Sequence, residues 1–350
     1  MKKLPLWTIA VPVILVASVF QLTSDLGEQG RLPPFLNDTL YPISQSVNGL
    51  MTNIKFRLRG PEPAPSDIVI VDADDDSVAL IGRWPWPRAV YGDIIHSIFK
   101  LGAKTLALDV AFSEPEKTIP DELHVMLKDH PTLAKRADAL EGDPILADVI
   151  RAYQKKLVLG FSADIQCQPR YTPATECPIH EAEFISKIEE MISKFAYPPN
   201  EDFPPALWDR SPFQFMIRVF ANIPKFAGSA LHAGSFNISQ DSDSYIRRYP
   251  LVSLANGRMY PSLGLKLAEL ARDDRIKLEL SPDGLISRAY FEKDPSNPIA
   301  ITPVGFMNLN FKGKSRSFRY VSVIELFRAL ESTDPEKRNL LKNSHVFFGV

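Results

Sequence analysis

The sequence predicts an α/β protein with a mixed, largely parallel central sheet and flanking helices, preceded by one N-terminal transmembrane helix. Three observations predict it. Short β-branched runs alternate with amphipathic helical segments. An uncharged apolar run opens the chain. The length, 350 residues at 45% hydrophobic, is enough to bury a sizeable core.

The apolar run is "LPLWTIAVPVILVASVFQL", Leu4 to Leu22, preceded by Lys2 and Lys3. As a helix it spans roughly 28 Å, close to the hydrocarbon thickness of a bilayer. Pro5 and Pro12 are tolerable in such a helix. The two lysines should stay cytoplasmic, which sends the rest of the chain outward. A cleaved signal peptide, with a poor site at Val16 and Ser18, and a buried soluble helix are the competing readings. The expected organisation is an anchor at 1–22 with a single pass through the cytoplasmic membrane. A juxtamembrane helix at 23–60 and an extracytoplasmic domain at 61–350 follow it.

Leu36, Leu40, Ile43, Val47, Leu50, Met51, Ile54 and Leu58 recur at three- and four-residue steps, which predicts a helix with one apolar stripe. Asn37 or Asp38 is its candidate cap, and Gly60-Pro61 its stop. "SDIVIVDAD" (66–74) reads as a buried strand, "AVYGDIIHSIFKLG" (89–102) as a helix and "KTLALDVAFSEP" (104–115) as a second strand. Such a unit predicts parallel strands and a right-handed crossover. A further helix and strand occupy 143–162. "LGLKLAELARDD" and "YVSVIELFRALEST" read as helices, "KLELSPDGLISRAYF" as a hairpin, and 345–349 as a last strand completing the sheet.

Between the first strand and its helix lies "GRWPWPR" (82–88), behind the acidic "DADDDS" (72–77). Ligands of open parallel sheets bind beyond the carboxyl ends of strands. The first strand ends in Asp72, Asp74 and Asp75 and the second near Asp109, so these should share one edge. Pro85 and Pro87 fix the backbone that presents Trp84 and Trp86. Arg83 and Arg88 can pair with the carboxylates or hold an anionic group. The candidate ligand-binding set is Asp72, Asp74, Asp75, Arg83, Trp84, Trp86, Arg88 and Asp109. A loop stapled to the sheet edge, with no ligand, is the rival reading. "DADDDS" lacks the glycine and distal glutamate of a helix–loop–helix calcium site.

Other chemistry is sparse. Net charge is −2, so no strong electrostatic footprint for nucleic acid exists. Cys167 and Cys177 close a Pro/Thr-rich loop and are a candidate disulfide in an oxidising compartment. Two free thiols are the alternative, and only His180 is near enough to suggest zinc. Asp241 and Asp243 could hold a cation, or Arg247 and Arg248 an anion, although a solvated turn is the preferred reading over either. No phosphate loop, HExxH or GxSxG occurs, and Asp72 with Asp109 lacks a companion nucleophile. The chain reads as a non-enzyme with no cofactor or metal named by its residues.

The run from "DIVIVDAD" through "GRWPWPR" to "GAKTLALDVAFSEP" resembles the type 2 CHASE domain, the cyclases/histidine kinases associated sensory extracellular domain. "GSFNISQDSDSYIRRYPLV" (234–252), "YPSLGLKLAEL", "FMNLNFKG" and "SHVFFGV" are similar to further segments of that family. The resemblance runs over about 36–350, with stretches near 116–142 and 164–228 that look inserted. The helical pattern Phe184, Ile185, Ile188, Met191, Ile192 and Phe195 falls in the second stretch.

The resemblance implies a sensory domain in signal transduction. It also implies membrane helices and an effector, such as an adenylate cyclase or a kinase, beyond Val350, unless the protein is a truncated member. A receptor of this kind is expected to be a homodimer that takes a small molecule or a periplasmic protein. A membrane-anchored interaction module without its own effector is the alternative reading, and an exported hydrolase is the third.

Overall fold

Val69 and Val71 are fully buried on one side of Ile68–Asp72 (β1), while Ile68 and Ile70 on the other side are half-buried. That alternation belongs to a strand whose two faces are covered unequally. The computed structural model describes residues 7–29, 31–116, 141–164, 192–197, 216, 218–241, 243–255, 257–282 and 284–349. Cys167, Cys177 and the Phe184–Met191 part of the expected helix lie outside these.

Two helices lead in, α1 (Trp7–Glu28) and α2 (Pro34–Arg59). α2 starts before the expected cap: Pro33 is its N-cap and Pro34 opens its first turn, where proline loses no hydrogen bond. Gly60, at φ 75°, ends it as expected. Gln45 Nε2 donates to Ser24 Oγ at 3.1 Å, and Gly27 lets the Tyr41 ring lie against α1. Among the described residues no helix is long and apolar enough to cross a membrane.

After β1 come α3 (Asp75–Ile81), α4 (Arg88–Lys100), β2 (Thr105–Leu108), α5 (Gly142–Tyr153) and β3 (Leu157–Asp164). β4 (Arg218–Phe220), α6 (Pro224–Ser229) and β5 (His232–Ser235) follow. A smaller β region holds β6 (Arg248–Pro250), β7 (Val252–Ala255) and β8 (Arg258–Pro261). After α7 (Leu263–Arg272) it continues with β9 (Ile276–Leu280), β10 (Ile286–Phe291) and β11 (Phe306–Asn308). The chain closes with β12 (Arg319–Ser322), α8 (Val323–Glu331), α9 (Pro335–Arg338) and β13 (His345–Gly349).

The main sheet runs β12-β1-β13-β2-β3, with β5 parallel to β3 and β4 antiparallel to its far end. β1 and β2 are parallel, as expected, but they are not neighbours: β13 lies between them, parallel to both. "YVS", expected as the start of a helix, belongs instead to the edge strand β12, and Ser322 caps α8 behind it.

One face of the sheet packs against α4, α5, α6 and α8 through Ile94, Ile98, Leu146, Ile150, Phe226 and Leu326. On the other face α7 sets Leu263 and Leu267 against Ala107 and Val158. The described parts of 164–228 belong to the principal core, where Ile192, Met216 and Phe226 have no exposed surface.

His232 opens β5 beside α7. Burial, then the charges of Lys266 and Arg275, pushes its imidazole down to about 4, below the ordinary value near 6.5. Below 6.5 the unfolded chain takes up a proton that the folded one refuses, so this residue costs stability as pH falls from 6.5 towards 4. Thermal unfolding across that window should show a smaller loss in His232→Gln than in the parent. Parallel curves would show that His232 titrates alike in both states.

Candidate functional site

Strand register builds the site. Tyr320 lies beside Ile70, Ile70 beside Phe347, and Phe347 beside Ala107. Two residues further along, on the same face, Asp72 lies beside Gly349, and Asp109 follows on β2. An aromatic and aliphatic row thus gives way to a carboxylate row at the carboxyl edge of the sheet. α7 covers only the β2–β3–β5 half of this face. Among the described residues the β12–β1–β13 half is uncovered and forms a groove of about 540 Å³, with Phe318 on its rim.

Gly349 separates the two carboxylates. A Cβ there would come within 3.3 Å of the Asp109 Cβ, so the absence of a side chain leaves a notch between Asp72 and Asp109. Two strand spacings put their backbones roughly 10 Å apart. Asp109 is exposed as a residue, yet burial of the strand end around its carboxyl pushes it above the usual range. Asp72 meets Arg316 at 3.5 Å, and the guanidinium of Arg316 lies 5.2 Å from the Tyr320 ring centre.

The rest of the candidate set lies elsewhere. Asp74 caps α3: it accepts from Ser77 N at 3.0 Å and from Ser322 Oγ at 2.9 Å. Burial raises its carboxyl, but the bonds from Ser77 and Ser322 outweigh that and hold it below the usual range. The acidic first turn after a capping aspartate was the legible sign of α3. Asp75 is exposed in that turn, and Arg83 is exposed in the following loop.

Trp86 is 2% exposed, donates to the Gly82 carbonyl at 2.8 Å, and belongs to the core on the helix-covered face. Trp84 meets Trp86 and Tyr91 edge-on, at 5.2 and 5.5 Å between ring centres.

Arg88 is the junction of this loop. Its Nη2 donates to the Glu114 carbonyl at 2.9 Å, its Nε lies 3.4 Å from Asp143, and its guanidinium covers the Phe112 ring at 4.5 Å. Asp143 also accepts from Glu116 N at 3.0 Å. Arg88 therefore ties together the start of α4, the loop after β2 and the start of α5. "GRWPWPR" has the geometry of a staple on the face opposite the groove.

Two further contacts join the domain to α2. Arg247, 7% exposed, donates to Asp241 at 3.0 Å, to both oxygens of Asp243 at 2.7 and 2.8 Å, and to Asn53 of α2 at 3.3 Å. Gly49 of α2 leaves room for it. Hydrogen bonds from Arg247 hold the Asp243 carboxyl below its usual range. The aspartates and arginines at 241–248, read from sequence as a cation site, an anion site or a solvated turn, thus satisfy one another. At the end of α2, Arg59 donates to Asn310 Oδ1 and to the Phe311 carbonyl, Phe56 meets Phe311 edge-on, and Glu62 pairs with Lys312 at 2.8 Å.

Sequence reasoning missed Tyr320, Phe318, Phe347 and Gly349 as groove residues, and Arg316 as the partner of Asp72. The alternation in "FRYVS" was the available signal for a strand. Among the described residues no group of three His, Cys, Asp or Glu is placed to hold a metal.

Removing one partner of a buried ion pair leaves the other charge uncompensated. Arg88→Ala should cost about 3 kcal/mol, measured by denaturant unfolding. Asp143→Ala should cost a comparable amount, and the double variant less than the sum of both. Additive losses would show that the two residues act independently.

Comparison with curated proteins and with solved structures gave no match. The model of one family, the CHASE2 domain, an extracellular sensory domain, matches residues 35–350, which takes in α2, the sheet, the groove and the staple. The chain belongs to the CHASE2 domain family.

Proposed function

We propose that the chain is the extracytoplasmic sensory part of a membrane-bound signal-transduction protein. A ligand taken up in the groove alters the domain, and the change passes through α2 to an effector such as a nucleotide cyclase or kinase outside this sequence. One observation carries the reading. The segment 310–320 grips the end of α2 through Asn310 and Phe311, pairs Lys312 with Glu62 just beyond it, lines the groove with Phe318 and Tyr320, and sets Arg316 on the groove residue Asp72. A displacement at one end of eleven residues is felt at the other.

The uncharged Leu4–Leu22 run behind Lys2 and Lys3 supports a single N-terminal anchor with the domain on the periplasmic side. Leu15, Val16, Val19 and Leu22 are each more than half exposed on α1, as lipid contact requires. On α2, Leu40, Ile43, Leu50, Ile54 and Leu58 are exposed along the helix, a stripe that supports a homodimer.

Hydrogen exchange on the full chain tests the coupling. Arg59→Ala and Asn53→Ala should each speed exchange in residues 45–58 about tenfold while α4 keeps its protection. Unchanged exchange in α2 would remove the link. An alkaline phosphatase fused after Gly349 should be active in intact cells, and an inactive fusion of normal abundance would place the domain on the other side.

A further inference from the structure

The groove has a chemical preference that the sensory reading leaves open. The acidic side chains lining it, Asp72 and Asp109, stand at one end, on either side of the notch over Gly349. The remaining lining is apolar or aromatic, with Ile68, Ile70 and Phe347 on the floor and Phe318 and Tyr320 on the β12 side. An anion entering here would face two carboxylates. A metal ion would need converging oxygens, and these carboxylates stand on non-adjacent strands above an apolar floor. The volume, about 540 Å³, is that of a small-molecule pocket.

The protein already carries a cation at this place. The Arg316 side chain is 68% exposed, and its guanidinium stands 3.5 Å from Asp72 and lies over Tyr320. An exposed pair of this kind contributes little stability, so exchanging it for another cation costs little. Arg316 also sits on the segment that reaches α2.

We propose that the groove binds a small organic cation: a primary ammonium or guanidinium group on an apolar, preferably aromatic, body. The ammonium enters the notch between Asp72 and Asp109, and the body lies along Ile70, Phe347 and Tyr320. The ligand displaces Arg316 from Asp72. The assignment of this site as a ligand site rests on the sensory reading above.

Calorimetric titration of the full chain in detergent tests the chemistry, with phenethylamine, tryptamine and hexylamine as probes. 2-Phenylethanol serves as the neutral counterpart and 3-phenylpropionate as the anionic one. At least one amine should bind, the alcohol about tenfold or more weakly, and the carboxylate not at all. Asp72→Asn and Asp109→Asn should each weaken the amine about tenfold while melting like the parent. Gly349→Val should block the notch, and Arg316→Ala should tighten binding by removing the competing cation.

Binding of alcohol and amine alike, or amine binding untouched in both Asn variants, overturns the proposal. So does an absence of binding by all three amines at millimolar concentration. If a second copy of the chain fills the groove, the amines fail and Tyr320→Asp splits a dimer seen by light scattering, which also overturns it. Hydrogen exchange in residues 45–58 with and without bound amine separates the two readings. Amine binding with no change there keeps the ligand class and removes the sensory coupling.

Discussion

The place of β13 governs the rest of the molecule. A strand–helix–strand unit would ordinarily put β1 and β2 side by side, where their ladders satisfy each other. Here both leave that edge unpaired for residues more than two hundred positions away. His345–Gly349 fills the gap and bonds to each neighbour, and Val346 and Phe348 seal the helix-covered face with no exposure. Burying two such side chains contributes about 4 kcal/mol before the entropy of ordering is counted. The same insertion makes the groove. Phe347 becomes its floor and Gly349 opens the notch, so a strand far downstream of its two neighbours completes both the core and the candidate site.

The staple at 82–88 answers a different demand. The helices α4 and α5 both begin at the carboxyl edge, where their orphan N–H groups and the loop after β2 must be ordered together. Arg88 does this with one side chain: a carbonyl, a carboxylate and an aromatic face each take part of its guanidinium. Its Nε and Asp143 Oδ1 face each other at 3.4 Å without a well-aligned hydrogen bond. The pair therefore fixes geometry more than it adds stability. Trp84 and Trp86 fill the space beneath, and the prolines fix the loop that carries them.

Much of this was legible because it is local. "DIVIVDAD", "KTLALDV" and "HVFFG" read as buried strands from their β-branched and aromatic runs, and α4, α7 and the hairpin at 276–291 followed from period and turn residues. The carboxyl-end rule brought Asp72 and Asp109 to one edge. It could not say that Trp86 turns to the opposite face, because side-chain direction beyond a strand end depends on the loop and not on the alternation. Strand order was likewise hidden: period reveals that a strand exists but not its neighbour. The burial of Arg247 under α2 needs a helix some two hundred residues upstream, so its charges looked like a solvated turn.

The joined positions of groove and helix limit how a signal can travel. Apart from its packing on α1, α2 meets the rest of the described domain at two points of unlike character. Arg247 reaches Asn53 from within a saturated cluster of aspartates, which makes that end a fixed pivot. Arg59 instead grips backbone and amide groups of 310–311 on a strandless segment, which leads past Gly313 to an exposed arginine over the groove. On the proposed reading, a pivot at residue 53 and a looser grip at residue 59 would turn a small shift of 310–316 into a tilt of the helix rather than a slide along its axis. On the proposed reading, a cation that displaces Arg316 acts at the movable end, where the cost of rearrangement is lowest, and leaves the buried core untouched.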